Sequence, residues 1–195
     1  MKNTFMIAKV KSTVKYVLVF SSILILFNGC TVPMTYVGTG LKPGDIETPR
    51  APYKLKITAE YQLNGKHQPN YDDMVLDYME SVMSSVGYAV STNRNYEGKM
   101  HIVVNNKANV ATAVSKGLVT GFTWGLIGYK IEDEFEMEVT LTLNGKTTTK
   151  TGYTETLVTK AGLASAPADK VKLYGDKVTE KIAQQLILQY LSDNK

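Results

Sequence analysis

The side chains able to carry chemistry are few and scattered. The 195-residue chain holds two histidines, His67 and His101, and one cysteine, Cys30. One thiol and two imidazoles fall short of the usual zinc ligand set, and a single cysteine excludes a disulfide scaffold. His67 stands beside an Asn64-Gly65 turn signal and His101 opens a short apolar strand pattern; no sequence feature joins either to a nucleophile, so both read as surface or sheet-edge residues. No serine lies in a GxSxG elbow, and no GxGxxG or Walker spacing offers a phosphate cradle. The adjacent Asp72 and Asp73 open a helical pattern, where carboxylates suit the positive end of the helix dipole without metal or acid–base work. The expectation is therefore a protein with no catalytic residue, no metal and no cofactor.

One acidic array stands apart. Glu132, Glu134, Glu136 and Glu138 alternate along a strand pattern, which aims four carboxylates from one face of a sheet. Like charges this close repel. The row reads either as a solvated face that also discourages edge aggregation, or as docking ground for a basic partner or divalent cations.

Composition narrows the class of protein. With 44% hydrophobic and 21% charged residues the chain is globular rather than disordered, and its length suits one domain or two small ones. The formal charge of +4 belongs to residues 1–29, where Lys2, Lys9, Lys11 and Lys15 occur without any acid. The rest is neutral. Nucleic-acid binding, which needs a concentrated positive footprint, is not expected.

Those four lysines precede an apolar run, Tyr16 to Phe27, that ends at Asn28, Gly29 and Cys30. A helix over that run rises about 18 Å, short of the roughly 30 Å hydrocarbon core, so residues 1–29 read as a secretory signal rather than a permanent span. The junction resembles the lipobox of bacterial lipoproteins, in which a small residue precedes a cysteine that is lipidated and becomes the mature N-terminus. Gly29 and Cys30 match it, while Phe27 and Asn28 depart from the usual Leu and small residue. The resemblance implies diacylglycerol on the Cys30 sulfur and a further chain on the freed amine, so membrane anchoring is effectively permanent. Thr31, where an Asp would signal retention at the inner membrane, implies the outer membrane, with the folded domain in the periplasm.

The elements behind these residues follow from pattern. Residues 31–52 carry Pro33, Pro43, Pro49 and Pro52 with Gly38, Gly40 and Gly44 between them, and read as a tether holding the domain on the order of 25 Å from the bilayer. Tyr53 to Gln62 alternates as a half-buried strand. Asn70 is placed to cap a helix over 71–86, with Val75, Met79, Val82 and Val86 on one stripe and Gly87 ending it. Strands follow at 88–92 and 100–105. Ile131 to Leu143 alternates and leads through Asn144-Gly145 into a hairpin with Lys146 to Val158. A two-residue turn would set Glu134 against Glu155, so a three-residue loop, Asn144 to Lys146, is favoured, pairing Leu143 with Thr147 and Met137 with Tyr153. A long helix is expected from Ala168 to Ser192, with Val171, Val178, Ile182 and Leu186 on one stripe. The fold class is α+β: a two-layer sandwich of a mainly antiparallel sheet with two helices, in a single domain over 53–195.

An apolar, glycine-rich helix or loop is inserted between strands at 109–129, where Lys116 is the lone charge. Ala113, Gly117, Gly121 and Gly125 recur every four residues, and as a helix they form one narrow strip that would let another backbone approach closely, as helices do in lipid. Internal glycines cost roughly 1 kcal/mol each in a helix, so something must pack against it. Three readings stay open: a buried part of the protein's own core, a membrane-inserting or oligomer-forming helix aided by Trp124 and Tyr129 at the interface, and a glycine-rich ligand loop.

The layout resembles that of outer-membrane lipoproteins of the TraT type, which act in surface exclusion and complement resistance, and of the YajG type. The shared features are the Cys30 junction, a strand, a helix closing at Gly87-Tyr88, further strands, a C-terminal helix and, with the TraT type, the glycine-rich stretch. TraT-type proteins carry a longer stretch, enough for a helical pair. The resemblance implies a homo-oligomeric outer-membrane assembly without enzymatic activity. The expected function is non-enzymatic: a lipid-anchored envelope protein acting through protein or membrane contact, with Cys30 attached to lipid and Gly117, Gly121, Gly125, Phe122 and Trp124 packing against bilayer or sister chains. The alternative is a monomeric periplasmic binding module for a hydrophobic ligand or partner.

Overall fold

A computed structural model describes residues 34–38, 40–108, 129–161 and 170–193. In chain order the elements are β1 (Met34–Gly38), β2 (Tyr53–Leu63), β3 (Lys66–His67), α1 (Asp72–Ser85), β4 (Ala89–Ser91), β5 (Gly98–Lys107), β6 (Tyr129–Leu143), β7 (Lys146–Ala161), β8 (Lys170–Leu173) and α2 (Asp176–Ser192). The strands form one eight-stranded sheet ordered β3-β2-β5-β6-β7-β1-β8, with β4 also on β2. The sheet is mainly antiparallel. β2 runs parallel to β4 and β5 because α1 carries the chain back across the sheet between them.

Both helices cover one face. Alternation supplies its apolar side: Leu55 and Ile57 of β2, Met100, Ile102 and Val104 of β5, and Phe135, Met137 and Val139 of β6 are buried beneath Val75, Met79 and Met83 of α1 and Ile182, Leu186 and Ile187 of α2. The two-layer α+β sandwich expected from the pattern is the architecture observed.

α1 ends as its sequence dictates. Gly87 takes φ +69, and the Tyr88 and Gly87 amides return to the carbonyls of Met83 and Ser84, which satisfies the last turn. Its start differs from expectation: Asn70 lies in a 3-10 turn, Pro69–Tyr71, and Tyr71 occupies the cap without a side-chain bond. Asp72 points instead at β2.

Three further expectations are corrected. The region read as a tether is built into the domain from Met34 onward: β1 lies between β7 and β8, Val37 and Ile46 join the core, and Gly38, Gly40 and Leu41 contact Glu155 and Gln185. The pairings are between residues far apart in sequence, so no local periodicity revealed them. The domain therefore begins before residue 53. The C-terminal helix starts at Asp176, and Lys170–Leu173 is a strand on β1, so Val171 stands exposed while Val178, Ile182 and Leu186 keep the helical stripe. The helix's expected start at Ala168 lies outside the described residues.

The β6–β7 hairpin uses the two-residue turn. Asn144 and Gly145 take φ 52 and 76, and Leu143 pairs with Lys146. A bulge then shifts the register between Met137 and Val139, near Gly152 at φ +91, so that Val139 opposes Lys150 while Met137 opposes Tyr153. The extra residue lies within β7, not in the loop, and the Met137–Tyr153 pair is realised by that route.

Candidate functional site

The strand directions gather several chain crossings at one end of the sheet. β1 and β6 both begin there, at Met34 and Tyr129, and β7 ends there, with Met34 and Lys130 each opposite Lys160 and Tyr129 opposite Ala161. β5 runs toward the same end but stops five residues short of the level of Tyr129, Lys107 lying opposite Glu134, and Ala108 follows it. The chain thus leaves the sheet at Ala108 and rejoins it at Tyr129 on the end where β1 starts, four residues after Cys30. Cys30 itself, and Gly117, Gly121, Phe122, Trp124 and Gly125, lie outside the described residues.

Charge at this end is mixed and paired. Lys107 bonds Glu136 and stands 3.7 Å from Glu134, and Lys130 lies 2.5 Å from Glu132. The Glu136 carboxylate holds the Lys107 ammonium above its usual range and is itself held low by it. Three of the four glutamates in the row thus stand beside a lysine, which offsets part of their mutual repulsion. Tyr174, just past β8, is 61% exposed, with the Lys172 ammonium 5.1 Å from its ring centre.

The other ionisable groups have structural partners. Asp72 Oδ1 accepts the Tyr61 amide at 2.8 Å, and Oδ2 faces His67 Nε2 at 2.8 Å. That hydrogen bond lifts the His67 imidazole above its usual range; burial pushes the Asp72 carboxyl up, but the Tyr61 amide and His67 outweigh it and hold it low. This pair was missed in the sequence because it depends on how the Pro69–Tyr71 turn swings the start of α1 back beside β3, although the Asn64-Gly65 turn was legible. His101 shares a 2.9 Å bond with the Thr58 hydroxyl on the open sheet face. Glu155 is buried among the Gly38 and Thr156 amides, with the Lys170 ammonium 3.8 Å away. These are satisfied pairs that stitch elements together.

Among the described residues no group of His, Cys, Asp and Glu is placed to hold a metal, and no helix is long and apolar enough to cross a membrane. A cleft between α1 and α2, lined by Tyr61, Val75, Met79, Phe135 and Ile182, holds about 10 Å³. That is the space of one water, too little for a lipid-sized ligand.

No family model matches the chain, and no curated protein matches it. Among solved structures it is similar to a dodecamer of a PelC point variant from Paraburkholderia phytofirmans, with 8% identity over 83% of this chain and 98% of that one, at a TM-score of 0.39.

Proposed function

We propose that the protein is a non-enzymatic, lipid-anchored component of the bacterial outer membrane that works through protein and membrane contact as a homo-oligomer. One observation carries this reading: the strand that starts four residues after Cys30 and the strands on either side of the apolar 109–128 segment share one end of the sheet. Two features picked independently from the sequence, an acylation junction and an apolar glycine-rich stretch, thus connect to the domain at the same end of the sheet. Four residues reach at most about 14 Å, so acyl chains on Cys30 hold this end at headgroup level rather than on a long leash. Tyr174 and Lys172 then suit the interface, an aromatic ring beside a cation.

The first test is incorporation of radiolabelled palmitate by the native protein and by Cys30→Ala. Label is expected in the first and absent in the second; continued labelling of Cys30→Ala refutes the anchor. The second exports the Cys30→Ala chain from another signal peptide and extracts membranes with high salt. Retention in the membrane supports contact by the apolar segment, and full release rejects it.

A further inference from the structure

The sheet face away from the helices has a charge layout that complements itself. Four strands set their outward residues in register. One row is Lys56, Lys99, Thr142 and Thr147; the next is Thr58, His101, Thr140 and Thr149; the third contains Glu60, Val103 and Glu138. Basic and acidic rows therefore flank a neutral central row.

Most of these charged residues lack internal countercharges. Among the described residues Lys56, Lys99 and Glu138 make no ion pair, Lys99 standing 5.8 Å from the Tyr96 ring centre, while Glu60 accepts a bond from the neutral Gln62 amide and attracts the His67 imidazole. The glutamates further along β6 are already matched by Lys107 and Lys130. The central row is neutral and polar, with a Thr140–Thr149 hydroxyl bond of 2.9 Å. It offers a polar surface on which another sheet can lie about 10 Å away.

We propose that this face is an interface between two copies of the chain, related by a two-fold axis through the Thr58–His101–Thr140 row. With the axis lying along that row, Lys56 of each copy stands over Glu60 of the other, and Lys99 stands over Val103, one strand from both Glu60 and Glu138. The Lys56 and Glu60 rows are about 13 Å apart along the strand, and both contacts form in one docking. A face this polar belongs to the weaker class of interface, and confinement on a bilayer raises its occupancy. The inference rests on the oligomeric part of the proposed function.

The test uses the full lipidated chain in mild detergent, with mass measured by sedimentation. The acidic-face variant carries Lys56→Glu and Lys99→Glu; the basic-face variant carries Glu60→Lys and Glu138→Lys. Each alone is expected to weaken self-association by about tenfold or more, and an equimolar mixture to assemble as well as the native chain. Circular dichroism of each variant checks that these surface changes leave the fold intact. Variants that keep the native mass, or a mixture that stays dissociated, overturn the interface while an oligomeric native chain upholds the assembly. A monomeric native chain overturns both. Loss of vesicle binding without change of mass reassigns the face to lipid and overturns the proposal.

Discussion

The Gln185 side chain of α2 donates to the Leu41 carbonyl at 2.9 Å, binding the chain after β1 onto the C-terminal helix, and Gln185 is 1% exposed. Gly40 is fitted to this contact. Its φ is +28, and a Cβ there would stand 1.7 Å from Gln185 Oε1. Gly40→Ala is expected to cost about 2 kcal/mol or more through strain and displacement of the glutamine. Gly44→Ala, with nothing within 4 Å of its added Cβ, should change stability by less than about 0.5 kcal/mol. Urea unfolding of both variants checks this, and equal midpoints would contradict the packing.

β1 also makes Val37 a core residue. It is fully buried, whereas Val171, on the neighbouring strand, is 42% exposed. Val37→Ala should therefore lower unfolding free energy by about 2 kcal/mol, and Val171→Ala by less than about 0.5 kcal/mol. Similar losses at both positions, measured by thermal or denaturant unfolding, would return the region to the status of a tether.

Much of the central fold was legible because its signals are local. The alternation of β2, β5 and β6 and the Gly87 helix stop each need only a few neighbouring residues, and each is found within a residue or two of its expected place. β1 was not legible: Met34–Gly38 lies among prolines and glycines and is held by strands more than a hundred residues later. β8 was misread because Val171 and Val178 stand at helical spacing, although Gly175, at φ +54, separates strand from helix. The hairpin register was half legible, since the turn residues were plain but the compensating bulge at Gly152 depends on sheet geometry. For the site, the sequence singled out Cys30 and the glycine strip, yet only the strand order could bring their flanks to one end.

The His67–Asp72 pair predicts a defined pH window. The His67 pKa is raised above its ordinary 6.5, so its stabilisation is complete below pH 6.5 and is lost as pH rises through the raised value. The Asp72 pKa is lowered below its ordinary 3.8, so its contribution is complete above pH 3.8 and is lost as pH falls through the lowered value. Between those limits both act together. A titration followed by NMR should place the His67 imidazole above 6.5 and move it back toward 6.5 in Asp72→Asn. A midpoint indifferent to that substitution would remove Asp72 as the cause.

Gln189 of α2 closes an exposed stretch of the β7 edge. Its Oε1 accepts the Thr154 amide at 3.1 Å and its Nε2 donates to the Thr154 carbonyl at 2.9 Å, which reproduces with one side chain the bonds of a neighbouring strand. Nearby, Lys170 donates to the Thr156 carbonyl at 2.9 Å, and β1 takes over pairing from Val158 onward. An open edge with free amides and carbonyls recruits other strands. Water can replace Gln189 at this exposed position, so Gln189→Leu should cost less than about 1 kcal/mol of stability. The larger effect falls on association: light scattering of concentrated samples should grow faster than for the native chain, and should do so equally at low and high salt, unlike contact through the charged sheet face. Scattering that matched the native protein would mean that something other than Gln189 guards this edge.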